Sequence, residues 1–299
     1  MHGSAKAQLL KAFNVGPDDL IGAGQEAYVY ALGTDRVLRI FRDRVPLDRL
    51  RRRLSFYDAI RSQEAPFRTP SILDVGESHG RVYWIEHRLP GISLTSRLPI
   101  LAGRARSRAI ASYVDAAAAV RTLACPQREI GEILAEPPIH RASWPTFLVD
   151  RAGVELQRHR RRLGDQVADP DRALGTLRRW AEGGRIDTAT LVHGDFFPEN
   201  VLMNEDDGTV SAVIDFGLLA LVGDPLLDVA CSVLFLTGLA GITQSDRDLA
   251  RTFARSFGVD DQVMRLYSLY YAFRFLGAPR EDGGLQRWCT SRIAAASTI

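Results

Sequence analysis

Two short apolar segments, each running directly into an acidic residue, constrain this chain more than any other feature of its sequence. The segment LVHGD ends at Asp195, and the segment SAVID ends 20 residues later at Asp215. Between them, Asn200 precedes a third apolar segment, VLM, and the run NEDDG is typical of a hairpin turn. Because a hairpin brings its second strand back beside its first, we expect Asp195, Asn200 and Asp215 to lie close together.

The three side chains in this predicted hairpin are all oxygen donors. Such a set fits Mg²⁺, which takes one or two carboxylates and leaves its other positions to water and phosphates. An Asp that accepts the proton of an attacking hydroxyl, followed by an Asn and a second Asp on the metal, is an arrangement used for phosphoryl transfer. The pattern predicts Asp195 as the catalytic residue, with Asn200 and Asp215 as metal ligands.

A glycine-containing segment near the N-terminus predicts a strand, a tight turn and a returning strand. Gly22 and Gly24 interrupt an apolar run that resumes with alternation at Ala27, and the next strand, RVLRIF, contains Arg39. Glycine permits positive φ and close backbone approach, so the N–H groups of such a turn can face phosphates. Taken alone, the segment is equally compatible with a plain hairpin. Alternation places Arg39 under the turn, where we expect it to be the only fixed positive charge.

The periodicities divide the chain in two. Residues 1–90 predict strands and one helix, whereas residues 91–299 predict mainly helices, with a boundary at the dipeptide Pro90-Gly91. We therefore expect an α+β fold: a small β-rich N-terminal lobe (1–90), a larger mainly helical C-terminal lobe (91–299), and a ligand cleft between them.

Composition excludes several classes of protein. With 38 basic and 36 acidic residues, the net charge of +2 gives no nucleic-acid footprint, and the arginine clusters at 51–53 and 160–162 predict solvated helix faces. No apolar run reaches the ~18 residues that span a bilayer, and no secretion signal is visible. Three dispersed cysteines, Cys125, Cys231 and Cys289, predict buried free thiols. We expect a cytoplasmic protein with no membrane or nucleic-acid partner.

In the hairpin that carries Asp195 and Asp215, and in the segment that follows it, the chain resembles the aminoglycoside phosphotransferase and choline kinase family, a branch of the protein-kinase-like fold. Three elements carry the resemblance in order: H-G-D-x-x-x-x-N ending at Asn200, I-D-F-G around Asp215, and G-D-P-x-x-D ending at Asp228. The resemblance covers roughly residues 18–232. The resemblance implies a Mg²⁺-dependent phosphotransferase that moves the γ-phosphate of ATP or GTP to a hydroxyl of a small molecule.

The same resemblance implies roles for residues of the N-terminal lobe. Segment 22–29 is similar to the family's phosphate-covering loop, so Gly22, Gly24 and Ala27 would cover the nucleotide phosphates. Glu86 and Arg88 would lie at the hinge, where backbone groups pair with the nucleotide base. In the C-terminal lobe, His193 would support the catalytic loop rather than act as a base.

Arg39 departs from the family pattern, which usually has a phosphate-binding lysine at this position. Arginine keeps the charge and can fork onto phosphate, so we expect Arg39 to contact the phosphates. The alternative is that it points outward to a surface acid. The helix expected to pair with this cation lacks a suitably placed glutamate; Asp48, Asp58 and Glu64 are the candidates, and we predict Asp58.

The acceptor is less constrained. The segment from Leu226 to Ile299 contains seven acidic residues and eight arginines, so it has no excess of acidic residues to bind a polycationic sugar. The six aromatic residues between Tyr267 and Trp288 are either helix core or, if they line the cleft, favour a bulky, partly apolar acceptor of macrolide type. The hypotheses are an antibiotic phosphotransferase (aminoglycoside or macrolide type), a metabolic kinase for choline, an amino alcohol or a sugar, and a non-catalytic nucleotide-binding protein.

A protein kinase is disfavoured by two features. Gly194 stands where protein kinases place an arginine, and only 13 residues separate Asp215 from Asp228, which leaves no room for a long activation segment.

Overall fold

The first five strands form one antiparallel sheet in the order β1-β2-β3-β5-β4. The computed structural model describes residues 2–24, 26–43, 45–61, 65–183, 188–278 and 283–299. The strands are β1 (Leu20–Ala23), β2 (Ala27–Leu32), β3 (Arg36–Phe41), β4 (Ile72–Ser78) and β5 (Arg81–His87). Arg39 lies opposite Val29 on β2 and Trp84 on β5. Because directly paired residues point to the same face, these three side chains share one side of the sheet.

Helices cover both faces of this sheet. Helix α2 (Leu47–Arg61) packs Phe56 and Tyr57 against the face that carries Phe41 and Trp84. Helix α1 (His2–Ala12) contributes Leu9 and Leu10 to a second apolar cluster on the other face, with Tyr30, Leu38 and Ile40. The sequence had not predicted α1, whose leucines follow no sustained helical period.

The remaining helices lie in the larger part of the chain. They are α3 (Leu94–Arg97), α4 (Gly103–Ala119), α5 (Trp144–His159), α6 (Pro170–Glu182), α7 (Leu226–Leu236), α8 (Gln244–Ser256), α9 (Asp261–Arg274) and α10 (Gly283–Ser297). Ser143, Asp169 and Asp260 cap α5, α6 and α9 by accepting backbone N–H bonds. Across the residues that the structure describes, no helix combines the length and apolar character needed to cross a membrane.

Two short sheets run through the helical part and place the predicted hairpin. The strands are β6 (Ile92–Ser93), β7 (Ile130–Glu132), β8 (His140–Arg141), β9 (Thr190–Val192), β10 (Val201–Met203), β11 (Val210–Val213) and β12 (Leu221–Gly223). They pair in the orders β11-β10-β6 and β8-β7-β12-β9. The chain thus leaves the five-stranded sheet after β5 and joins the C-terminal part at β6, which is consistent with a boundary near residue 90, although the division into two domains stays a prediction.

The predicted burial of the cysteines and the predicted exposure of the two arginine clusters are each confirmed in part. Cys231 and Cys289 are buried free thiols, but Cys125 is only half-buried. The cluster at 160–162 is exposed, as predicted. The cluster at 51–53 is not a uniformly solvated face: Arg51 and Arg52 are exposed, whereas Arg53 is buried.

Candidate active site

The hairpin brings Asp195, Asn200 and Asp215 together. A single 3-10 turn, Pro198–Asn200, leads from the Asp195 loop into β10. The Asn200 side chain donates to the Asp195 carbonyl at 2.9 Å and to its carboxylate Oδ2 at 3.4 Å. The backbone N–H of Ile214 donates to the Asn200 carbonyl at 2.8 Å, so the residue that follows it, Asp215, lies beside Asn200. The predicted convergence is therefore present in the structure.

Asp195 carries a strongly shifted acid group. Burial, followed by the nearby negative charge of Asp215, raises the pKa of Asp195 to about 7, while the hydrogen bond from Asn200 and the charge of Arg274 oppose the shift. A carboxyl group that titrates near neutral pH is suited to accept a proton during a reaction.

His193 is held as a neutral ring. It is fully buried, with Nε2 2.9 Å from the Ile214 carbonyl and Nδ1 3.2 Å from the backbone N–H of Asp195. Since a carbonyl can only accept and an N–H can only donate, Nε2 carries the proton and Nδ1 accepts. Burial also lowers the pKa of His193 to about 4. Both nitrogens are thus occupied in supporting the loop, which agrees with a supporting role and leaves no free base.

Asp228 holds the other side of the catalytic loop. Its buried carboxylate accepts the backbone N–H groups of His193 at 2.7 Å and Gly194 at 2.9 Å. Tyr113 and Tyr271 donate to the carbonyls of Phe196 and Gly194, at 2.6 and 3.1 Å. Asp228 belongs to a recognised motif, but its hydrogen bonds to the loop had not been predicted. No sequence pattern had pointed to the two tyrosines.

Two residues of this region have left-handed backbone conformations. Gly194 has φ +74°, and a Cβ there would lie 2.1 Å from the Leu219 carbonyl oxygen, so only glycine fits. Asp215 has φ 65°, which is uncommon for a residue with a side chain and concentrates at functional sites. Asp215 thus occupies a strained backbone position at the end of its strand.

The donor set fits Mg²⁺. The Asn200 amide nitrogen faces Asp195, which leaves its oxygen for another partner. The Asp215 side chain is 44 % exposed and uses one oxygen toward Arg39. Within the described ranges, no cluster of three or more His, Cys, Asp or Glu side chains could hold a metal ion. A site with so few protein donors, all of them oxygens, suits an ion that keeps water and phosphate in its shell.

Arg39 faces the cleft and is paired with two acids. Its Nη2 lies 3.5 Å from Glu86 and its Nη1 3.4 Å from Asp215, with the Arg39 side chain 14 % exposed. Burial disfavours its charge, but Glu86 and Asp215 outweigh that effect and raise the pKa of Arg39. The guanidinium is therefore permanently charged, and the outward-pointing alternative is wrong.

The prediction that Asp58 pairs with Arg39 is also wrong. Asp58 pairs with Arg61 on the surface of α2 at 3.4 Å. Instead, α2 reaches the hairpin through Tyr57, whose hydroxyl donates to the Phe216 carbonyl at 3.1 Å. The partner of Arg39 is instead Glu86, from the neighbouring strand. Glu64 lies outside the described residues.

The glycine segment connects β1 and β2 as predicted, but its glycines are not required by backbone geometry. Neither Gly22 nor Gly24 has a positive φ, and a Cβ at Gly22 would make only an ordinary contact with Val29 at 3.6 Å. Their value would then be close approach of a ligand rather than a strained turn. Ala27 is buried under the segment, and its carbonyl accepts the Gly24 N–H at 3.0 Å.

Arg39 is not the only cation beside this segment, contrary to expectation. Arg42 donates from Nε to the Gly24 carbonyl at 2.8 Å and from Nη1 to the Tyr28 hydroxyl at 3.1 Å. Arg53 of α2 makes a bidentate ion pair with Glu26, at 2.9 and 3.4 Å. Three arginines therefore surround the region under and beside the glycine segment.

The predicted hinge residues differ in what they offer a ligand. Glu86 is buried, and its side chain points to Arg39 rather than to solvent. Arg88 is exposed, and its backbone N–H already donates to the Asp35 carbonyl at 2.8 Å, so its carbonyl is the backbone group left for a ligand. The assignment of both residues to nucleotide binding stays a prediction.

The C-terminal aromatic residues divide into core and surface. Tyr267, Tyr270, Tyr271 and Phe273 are buried, as the core interpretation predicts, whereas other rings are only half-buried. The half-buried rings form what we call the aromatic wall: Phe197, Phe235, Phe275 and Trp288. Phe197 stacks on Phe235 with ring centroids 3.8 Å apart, and it follows Asp195 by two residues. A partly exposed apolar surface therefore begins beside the candidate catalytic acid.

A five-stranded sheet with a glycine segment, joined to a helical region that presents an Asp–Asn–Asp hairpin, defines the protein-kinase-like class of phosphotransferases. Residues 19–267 match the model of the APH family, described as the phosphotransferase enzyme family. The chain belongs to this family and is an enzyme of that class.

Known proteins similar to this chain agree with that class. Viomycin phosphotransferase of Streptomyces vinaceus is 28 % identical over 229 residues, which cover 72 % of this chain and 74 % of the relative. Among solved structures, the gentamicin complex of APH(2″)-IIa aligns with a TM-score of 0.65 and 15 % identity, covering 98 % of this chain and 97 % of the other. ADP-bound APH(2″)-Ib aligns with a TM-score of 0.64 and 13 % identity, over 99 % and 98 % of the two chains. At these identities the structural likeness shows the fold alone.

Proposed function

We propose that this protein transfers the γ-phosphoryl group of a nucleoside triphosphate to a hydroxyl of a small-molecule antibiotic, in a Mg²⁺-dependent reaction. The observation that carries the proposal is the environment of Asp195. Its carboxyl group lies in a loop held on both sides by buried hydrogen bonds, and its pKa is raised to about 7. A loop built only to fold would gain nothing from a half-buried carboxyl beside a second one.

Asp195 acts in the reaction as a proton acceptor or orienting group. It takes the proton of the acceptor hydroxyl as the hydroxyl oxygen bonds to the γ-phosphorus, and the bond from that phosphorus to the β,γ-bridging oxygen breaks, leaving the nucleoside diphosphate. Asn200 orients Asp195 through the hydrogen bonds to its carbonyl and carboxylate. Arg39, fixed by two acids, places positive charge on the floor of the nucleotide site.

Residues of the same region also indicate where Mg²⁺ and the nucleotide would bind. Asn200 and Asp215 would hold Mg²⁺, which supplies charge neutralisation for the phosphates when bound. Gly22, Gly24 and Ala27 would cover the phosphates, and the backbone near Glu86 and Arg88 would receive the base. Solved neighbours carry ADP, ATP or GDP, so both ATP and GTP are candidate donors.

An antibiotic acceptor is supported by the relatives and by the aromatic wall. Viomycin phosphotransferase is a curated relative, and several structural neighbours are named as aminoglycoside phosphotransferases. The aromatic wall beside Asp195 suits an acceptor with an apolar or flat face, which favours a macrolide-type acceptor over an open polycationic sugar. We assign the enzyme to antibiotic resistance in the cytoplasm, with a metabolic kinase for choline, an amino alcohol or a sugar as the second candidate.

A phosphate-transfer screen tests the proposal. The purified protein is incubated with Mg²⁺, with ATP or GTP, and with viomycin, an aminoglycoside, a macrolide or choline, and the acceptor is monitored by mass spectrometry. We expect a mass increase of one phosphate on an antibiotic, dependent on Mg²⁺. Transfer only to choline or another amino alcohol would support the metabolic kinase. Nucleotide binding with no transfer to any acceptor would contradict the proposed reaction.

A further inference from the structure

Arg53 is a buried cation with a single anionic partner among the residues that the structure describes. It lies on α2 with 4 % of its surface exposed. Its two terminal nitrogens donate to the two carboxylate oxygens of Glu26, at 2.9 and 3.4 Å. Within the described part of the chain, Nε makes no hydrogen bond. Because a buried guanidinium without an anion is strongly unfavourable, some anion must always accompany Arg53.

Glu26, the partner, belongs to the segment that covers the nucleotide site. It lies between Gly24 and Ala27, and its side chain is 45 % exposed. Its negative charge reaches into the cleft, where it contributes to raising the pKa of both Asp195 and Arg39. A carboxylate at this position repels the phosphates of a nucleotide, yet it can turn into solvent at low cost because it is already half exposed.

Arg39 and Arg53 therefore differ in how firmly their charge is compensated. Arg39 is held by two carboxylates, Glu86 of β5 and Asp215, which lies two positions after β11. Arg53 is held by one carboxylate, from a segment that connects two strands. Only the partner of Arg53 can leave without dismantling the floor of the site.

We propose that Arg53 is a second phosphate-binding cation of the nucleotide site and that Glu26 is a built-in competitor, which occupies Arg53 until the β- and γ-phosphates displace it. This inference rests on the proposed function, because it requires a nucleotide under the glycine segment. On binding, the Arg53–Glu26 pair is exchanged for an Arg53–phosphate pair, and the Glu26 carboxylate turns to solvent. Charge is conserved around Arg53, so the exchange leaves no buried cation unpaired.

Calorimetry with Mg²⁺ and ADP, and separately with AMP, tests the exchange in four variants. Glu26→Gln should tighten ADP binding by about 3- to 10-fold, since the competing charge is gone. Arg53→Gln should weaken it by at least about tenfold, the value of a lost charge-assisted bond. The double variant should lie much closer to Arg53→Gln than to Glu26→Gln, because most of the gain from Glu26→Gln comes from freeing Arg53. AMP, which lacks the outer phosphates, should show none of these changes. Arg51→Gln, an exposed arginine on the same helix, is the control.

The sign of the Glu26→Gln effect decides between exchange and a plain structural brace. A brace predicts that Glu26→Gln weakens ADP binding in parallel with Arg53→Gln, and that result would overturn the proposal. If Arg53→Gln does not fold, Arg53→Lys keeps the charge, and Glu26→Gln still gives the sign. A wild-type protein that binds no nucleotide would overturn both this inference and the proposed function. Wild-type binding and turnover with weaker binding by Glu26→Gln would overturn the exchange alone.

Discussion

The two loops of the candidate site are held by different kinds of contact. The Asp195 loop is supported from beneath by buried groups: Asp228 accepts two backbone N–H groups, and Tyr113 and Tyr271 donate to loop carbonyls. The glycine segment is held from the side by two arginines, Arg42 in the open and Arg53 through the half-exposed Glu26. The hydrogen bonds that support the Asp195 loop are shielded from water, whereas water can compete for the contacts that hold the glycine segment.

This difference matches what each loop would do under the proposed function. A catalytic acid must be held in one geometry before the substrate arrives, and buried, fully paired hydrogen bonds achieve this. A loop that covers a nucleotide must release it after each turnover, and contacts that water or phosphate can replace allow that. If the two supports differ in this way, substitutions in them should have effects of different kind and size.

The largest effect is expected at the residue that links the two regions. Asp215→Asn removes a charge from the metal donors, and Asn is suitable because it tolerates the positive φ of this position. Mg²⁺ should then no longer strengthen nucleotide binding. Calorimetry with and without Mg²⁺ checks this outcome. A Mg²⁺ dependence equal to that of the wild type would remove Asp215 from the metal site.

Next in size is the buried support of the Asp195 loop. Asp228→Ala leaves the N–H groups of His193 and Gly194 without their acceptor, and each unpaired buried donor is costly. We expect the free energy of unfolding to fall by roughly 2–5 kcal/mol. Denaturant titration measures it, with Asp206→Ala in the exposed turn as the control. A loss no larger than that of the control would show that the loop is not held from beneath.

Arg39 should show an intermediate effect on nucleotide binding. Arg39→Ala removes a charge-assisted contact of about 1.5–3 kcal/mol, which corresponds to roughly 10- to 150-fold in affinity. Arg39→Lys keeps the charge and should retain substantial activity. Nucleotide titration of both variants distinguishes contact from background charge. Equal affinity in the wild type and Arg39→Ala would mean that Arg39 serves only to neutralise Glu86.

The smallest effect is expected at Arg42, in the exposed support of the glycine segment. Arg42→Gln loses hydrogen bonds to Gly24 and Tyr28 that water can replace. Nucleotide affinity should fall by only about 2- to 10-fold, and the melting temperature should stay unchanged. A large loss of stability would mean that the two loops are supported alike and would contradict this difference between them.

Much of this site could be predicted from local sequence. The hairpin that joins Asn200 to Asp215 was predictable because apolar strands and a turn run are local signals. The supporting role of His193 was implied by the family resemblance and agrees with its two hydrogen bonds. The β-rich character of residues 1–90 and the mainly helical character of residues 91–299 likewise follow from periodicity.

The remaining features depend on contacts between distant segments. Asp228 reaches the catalytic loop across 34 and 35 residues, and no spacing rule predicts such a bond. Glu86 lies 47 residues from Arg39; the alternation of β3 and β5 places both on one face, but only the pairing register brings them together. Arg53 was taken for a solvated residue because charge runs usually are solvated. Its ion pair with Glu26 joins α2 to the glycine segment, a contact that no local pattern predicts.

In the proposed mechanism, Asp195 performs the chemistry on a support that exists without it. The direct test is to measure kcat and nucleotide affinity of Asp195→Asn on the same preparation, with Glu199→Gln, an exposed acid in the same loop, as the control. We predict that kcat falls by at least ~10²-fold, the scale of a positioned acid–base group, while Mg²⁺–nucleotide affinity and the melting temperature are retained. Turnover equal to that of the wild type would contradict the assignment of Asp195 and, with it, the account of the site.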